Sequence, residues 1–473
     1  MTTLPSLRPA EGLADPEALF VSTFSLDMEA AQALRERFRR TDAHVWTRDG
    51  AGLYGLGAAA RATAAGRQRF MLLQEWFARL ARVSTVTDPL LRPGSGLMAY
   101  GSFAFSWTSS VPSRLVVPQA LLGISADAAW LTIASREPLV GGLAAALDVL
   151  DVISTLPRGV DLPDSSSPVH DVVDGNVDEA RFLAAVAGGV ERIEAGEVQK
   201  LVLGRDLRVR FDGHAPVAHA VGSLAAQYTD CWTYSLEGLF GATPEMLIQV
   251  LDGTARARVL AGTLDREEAR VLGDEAAKAA FLADPKQRHE HDFAIRSLTQ
   301  TLGPLVSGLN APEEPFVLEL PNVWHLASDV HAGIAPRVDG SRPGALDLVD
   351  VVHPTAAVCG TPRERAGDLI RELEGTDRGR FAGPVGWVDA HGNGEFGIAL
   401  RGGVVEPCMG ADGIHDAVRV WAGCGIVDAS VPETELRETD AKMRPMLGAL
   451  GALLRRDAAD AEHTPSGLDA QQL

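Results

Sequence analysis

Glu435 and Glu438 stand three residues apart in the stretch PETELRETDAK at 432–442, behind a proline suited to the first turn of a helix. On a helix they share one face. Like charges so placed are either solvated or share a cation, and Mg²⁺ is a cation that carboxylate oxygens suit. Spacing alone favours the solvated pair. A third acid, Glu290, lies in KQRHEHDFAIRSL at 286–298, where Phe293, Ile295 and Leu298 can hold one side of a helix against a core. Read alone, Glu290 too is a helix-surface acid. His289 and His291 do not share a helical face, which argues against a two-histidine zinc site.

Lys200 opens the apolar run KLVLGRDLRV. It is either an edge lysine whose stem lies along apolar surface, or, enclosed in a cleft, a base whose proton affinity burial lowers. Glu245 follows Pro244 in GATPEMLIQV. It is a turn acid or, if buried, a general acid with a raised pKa. Arg205 and Arg401 occupy strand-like stretches, where an arginine can bridge locally or clamp a carboxylate. His325, in NVWHLASDV, is a core histidine or a donor to substrate. No G-x-x-x-x-G-K-[ST], H-E-x-x-H or G-x-S-x-G occurs. GLYGLGAAA at 52–60 lacks the rest of a dinucleotide fingerprint and reads as sheet packing.

The scaffold for these residues is a 473-residue chain with 46% apolar residues, enough for a sizeable core. Its net charge of −20 argues against nucleic acid or an anionic membrane surface as partner, since both need a positive field. Four spaced cysteines without a CxxC pair suggest thiols rather than a disulfide framework. The start lacks signal-peptide order and no apolar run is long enough to span a bilayer, so a cytoplasmic protein is expected. Periodicity predicts helices at 27–39, 66–82, 177–195, 268–281, 289–301, 364–373 and 434–453. It predicts strands at 50–60, 98–107, 111–119, 128–134, 200–209, 241–250, 385–388, 395–401 and 418–424. Residues 162–176 read as a connection, and the segment from 456 to 473 as a frayed tail.

Taken together, KLVLGRD, GATPEMLI, LAGT at 260–263, KQRHEH and HPTAAVCGTP at 353–362 resemble the chorismate-utilising enzymes. RGRFAGPVGWVDAHGNGEFGIALR at 378–401 and AGCGIVDASVPETELRETDAK at 422–442 continue the same order. The family includes isochorismate, salicylate, anthranilate and aminodeoxychorismate synthases. The resemblance implies an α+β fold like that of anthranilate synthase component I, with large antiparallel sheets flanked by helices. Residues 1–165 would form a strand-rich N-terminal portion and 177–453 the chorismate-binding catalytic portion.

It also implies roles. Glu290, Glu435 and Glu438 would bind Mg²⁺ against the ring carboxylate, and Arg401 would clamp the enolpyruvyl carboxylate. Lys442 would neutralise the site, with Gly262, Thr263, His325, Ala357, Gly423 and Gly425 against the substrate. Lys200 would activate water and Glu245 would protonate the departing hydroxyl. Lys200, and Ala357 where ammonia-using members carry threonine, favour water as nucleophile and hence isochorismate as product. The implied protein is a monomer without an obligate protein partner. One position departs from the pattern: Gln287 stands where an acid is usual. The alternatives are a salicylate synthase, an anthranilate synthase component I and, in a different class, a non-catalytic binding subunit.

Overall fold

Neighbouring residues on the strands His44–Arg48 and Ala51–Leu56 are buried on opposite sides. Val45 and Tyr54 pack with helix residues such as Leu34 and Leu150, whereas Trp46 and Leu53 pack with Tyr100, Val116 and Trp387 of another sheet. Leu121 and Leu122, then Trp130 and Leu131, divide in the same way. A sheet buried on both faces requires this pattern. The computed structural model describes residues 13–39, 42–155, 168–337, 340–410 and 413–454. In it the strands form one 13-stranded and one 10-stranded sheet. Pairing is antiparallel apart from Phe20–Leu26 with Thr85–Thr87.

Helices cover the outer faces. Met28–Arg35, Gly142–Thr155, Val217–Gln227 and Pro432–Ala449 pack on the larger sheet. Arg69–Val83, Pro285–Leu302 and Ala345–Val352 pack on the smaller. The expected α+β architecture of large, helix-flanked antiparallel sheets is therefore present. Both sheets draw strands from either side of residue 165. Among the described residues no helix is long and apolar enough to cross a membrane.

Several local expectations need correction. The run at 241–250 is two strands, Leu239–Thr243 in the larger sheet and Met246–Leu251 in the smaller, with Pro244 and Glu245 at the crossing. The helix expected at 268–281 divides into Arg266–Leu272 and Asp274–Ala283 at Gly273, whose φ of 80° breaks the spiral. The connection at 162–176 contains the strand Val169–Asp174, paired with Lys200–Phe211; residues 162–167 lie outside the described residues, as does the tail from 456. The strand before Arg401 stops at Ile398, and Arg401 itself turns with φ 49°.

Candidate active site

Six strands and helices, with one crossing between the sheets, converge on one cavity of about 80 Å³. The strand Lys200–Phe211 pairs with Gly413–Ile426, setting Val202 opposite Gly425 and Gly204 opposite Gly423. The crossing between sheets delivers Glu245. The strand Thr254–Asp265 shifts register against Val323–Ile334 between Ala261 and Thr263, and Gly262 takes φ 82° at that bulge. Pro285–Leu302 and Pro432–Ala449 bring the remaining acids and Lys442. Glu245, Gly262, Thr263, Glu290, His325, Ala357, Arg401, Gly423, Gly425 and Lys442 all line the cavity. Lys200 reaches Glu290 from the buried side, while Glu435 and Glu438 do not line the cavity itself. A larger cavity of about 800 Å³ shares Arg378 with this one; none of these candidates lines it.

Lys200 is fully buried, so the snorkelling edge lysine is not what forms. Its Nζ lies 3.1 Å from Glu290 Oε1 as an ion pair, with no acceptor aligned for a hydrogen bond. Glu245 is also buried, and burial pushes its carboxyl up to about 8 against the opposing pull of Lys200, Lys442 and Arg401. The site thus holds a fully buried lysine and a carboxylic acid that stays protonated at neutral pH. For Glu290, burial raises the pKa but Lys200, Lys442 and Lys286 outweigh it, and the carboxyl rests below its usual range.

The acids are not merely solvated. Glu435 is 1% exposed, because its helix is packed onto the sheet, and its Oε1 accepts from Lys286 Nζ at 3.2 Å. Burial and then Glu438 push its pKa up. Glu438 accepts from Lys442 Nζ at 2.5 Å, and Lys442 also donates to the Gly423 carbonyl at 3.0 Å. As they stand, no three acid, histidine or cysteine side chains among the described residues are grouped to hold a metal. The chemistry of the set nevertheless fits a hard divalent cation: three carboxylates, two of them repelling each other on one helix face. Gly425 is the cradle, since a Cβ there would sit 2.1 Å from Glu290 Oε1.

Arginine and glycine positions resolve differently from one another. Arg205 faces away from the cavity; it donates to Thr439 Oγ1 at 2.7 Å and pairs with Asp440, pinning the helix that carries Glu435 and Glu438. Arg401 donates to His325 Nε2 at 2.7 Å. His325 Nδ1 meets the Gly262 carbonyl at 2.9 Å. Burial, with Arg401 and Lys442 beside it, holds His325 well below its ordinary pKa, so it is neutral. Gln287 Oε1 accepts from the Thr263 backbone N–H at 3.0 Å, and a Cβ on Gly262 would meet that oxygen at 2.9 Å. The departure at Gln287 thus supports the bulge. Gly423 answers to strand packing: its Cβ would strike the Leu203 carbonyl at 2.8 Å.

Sequence reasoning passed over Lys286 and Arg378. Arg378 lines the cavity, held by Glu374 and by the carbonyls of Val202 and Val358. Lys286 had a signal. Asp284 and Pro285 mark a helix start, and a lysine in the first turn opposes the helix dipole unless an acid faces it.

Comparison with known proteins shows the family and the fold. The profile of the family described as chorismate binding enzyme matches residues 18–451. The isochorismate synthase MenF of Bacillus subtilis is 30% identical over 384 residues, 77% of this chain and 77% of that protein. The salicylate biosynthesis isochorismate synthase of Pseudomonas aeruginosa is 35% identical over 290 residues, 59% of this chain and 57% of that one. The solved structure of MenF, the menaquinone-specific isochorismate synthase of Escherichia coli, matches with a TM-score of 0.71 at 22% identity, over 93% of this chain and 96% of that one. That last likeness is one of fold.

Proposed function

The chain belongs to the chorismate binding enzyme family, and on that premise we propose that it is an isochorismate synthase, interconverting chorismate and isochorismate reversibly with Mg²⁺. The observation that carries the reading is that fully buried Lys200 reaches Glu290 behind the same cavity that Glu245, kept protonated by burial, lines.

Arg401, held by His325, takes the enolpyruvyl carboxylate through its planar fork. Lys442 and the backbone at Gly423 and Gly425 border the ring. Lys200, in its unprotonated amine form, accepts a proton from water as the water oxygen bonds to the ring carbon beside the carboxylate-bearing carbon. The ring double bonds shift, and the hydroxyl across the ring leaves with the proton of Glu245, as water. One water enters and one departs, so the reaction is an isomerisation. Glu290, Glu435 and Glu438 would hold Mg²⁺. Bound there, the ion would neutralise and orient the ring carboxylate. Ala357 leaves no hydroxyl to hold an amine nucleophile, which supports water.

The proposal extends to a monomer without an obligate protein partner, as the family resemblance implies. Free, buried Cys231, Cys359 and Cys424 support a reducing, cytoplasmic setting. The relatives named for menaquinone and for salicylate are both isochorismate synthases, and the proposal commits to that step.

The test is product analysis after incubating the chain with chorismate and Mg²⁺, with and without ammonium. A Mg²⁺-dependent chorismate–isochorismate mixture with little salicylate and no anthranilate is expected. Salicylate as main product would favour a salicylate synthase, anthranilate an ammonia-using enzyme, and no turnover a binding subunit.

A further inference from the structure

The three acids proposed to bind Mg²⁺ each rest on a different lysine: Glu290 on Lys200 at 3.1 Å, Glu435 on Lys286 at 3.2 Å and Glu438 on Lys442 at 2.5 Å. The three lysines are not equivalent. Lys200 is sealed in the core, and Lys442 is tied a second time to the Gly423 carbonyl. Lys286 has 32% of its side chain exposed, on a stem long enough to swing its ammonium into water. It is attracted by all three acids, Glu435 most, then Glu438 and Glu290. It sits in the first turn of Pro285–Leu302, where its own helix repels it and Asp284 already caps the backbone N–H of Lys286 and Gln287. Local helix energetics therefore disfavour a cation there, and the acids across the gap favour it.

We propose that the Lys286 ammonium is the resident counter-ion of the Glu290, Glu435 and Glu438 carboxylates, and that it must withdraw to solvent before a divalent cation can bind them. The inference rests on the Mg²⁺ reading above. It accounts for two observations together: buried Glu435 accepts from the Lys286 ammonium at 3.2 Å, and as they stand the three acids are not grouped to hold a metal. Lysine and metal ion then compete for the same negative charge. The lysine keeps buried Glu435 from standing as an uncompensated charge while the metal is absent.

Titration calorimetry of the full chain with MgCl₂ tests this directly. Lys286→Met should bind Mg²⁺ roughly tenfold more tightly than wild type, since a competing charge is gone. Lys286→Arg should stay close to wild type. Without Mg²⁺ the Met variant should melt below wild type, and saturating Mg²⁺ should raise its Tm by more than it raises that of wild type. In the unmutated protein, Mg²⁺ should increase amine-reactive labelling of Lys286, read by mass spectrometry, severalfold. Unchanged or weaker Mg²⁺ binding by Lys286→Met, tightening by Lys286→Arg equal to that of Met, or labelling indifferent to Mg²⁺ would overturn the inference alone. Absence of Mg²⁺ binding by wild type would overturn the metal reading, and this inference with it.

Discussion

Arg401 donates from Nη2 to His325 Nε2 at 2.7 Å, and this contact decides the tautomer of the imidazole. A guanidinium has no acceptor, so Nε2 must offer its lone pair and Nδ1 must carry the hydrogen, which it donates to the Gly262 carbonyl. The bulge at Gly262 thus aims the histidine, and the histidine aims the arginine. His325 is a positioning residue rather than a donor to substrate. Replacing it with alanine should raise KM for chorismate roughly tenfold, as loss of a hydrogen bond to a charged group implies, with a smaller change in kcat. Steady-state kinetics separate the two. A fall in kcat at constant KM would place His325 in the chemistry instead.

Glu245 should give the pH profile its alkaline limb. Its carboxyl is raised to about 8, so the proton it donates is present below that pH and lost above it. Turnover of chorismate should fall as pH rises through about 8. Glu245→Gln should lower kcat by roughly 10²- to 10⁴-fold and remove the limb from what activity remains. An unaltered profile in that variant would exclude Glu245 as the acid.

Lys200→Ala should abolish measurable turnover, a loss of roughly 10²-fold or more, while chorismate binding by calorimetry is largely kept. Retained activity would remove Lys200 from the mechanism.

Gly425→Ala should act through Glu290. The new Cβ would claim space 2.1 Å from Glu290 Oε1 and drive the carboxylate aside. Mg²⁺ affinity should fall by roughly 10- to 100-fold with far-ultraviolet circular dichroism unchanged. Normal metal binding in a folded variant would show that Glu290 does not need this cradle.

Arg205→Met should reveal the helix anchor. It breaks the buried ion pair with Asp440, and a broken buried pair costs about 3–5 kcal/mol. Thermal denaturation should show the loss. An unchanged Tm would mean that the Arg205–Asp440 pair does not hold the helix Pro432–Ala449.

Much of the site was legible because its residues lie in short stretches whose order survives in the chain. Spacing alone misjudged Glu435 as a solvated acid, since nothing local shows that its helix face is covered by a sheet. The apolar run at 241–250 conceals a change of sheet, because residue periodicity is the same on either side of Pro244. Arg401 reads as a strand residue for a similar reason: the left-handed turn that aims it follows an unbroken apolar run. Lys286 hid in a charged cluster, where a lysine looks like ordinary surface until the acid opposite is known.

The order of strands in the larger sheet also sets a timetable for synthesis. Lys200–Phe211 leaves the ribosome long before its neighbour Gly413–Ile426, and Leu239–Thr243 long before Gly402–Gly410. Until those late strands are made, the sheet has an open seam between Lys200–Phe211 and Leu239–Thr243, with a bare hydrogen-bonding edge on each side. A nascent chain in that state is most prone to pair wrongly at that seam. Gly423 and Gly425 lie on a strand that closes the seam, so the catalytic cavity cannot form before the sheet is complete.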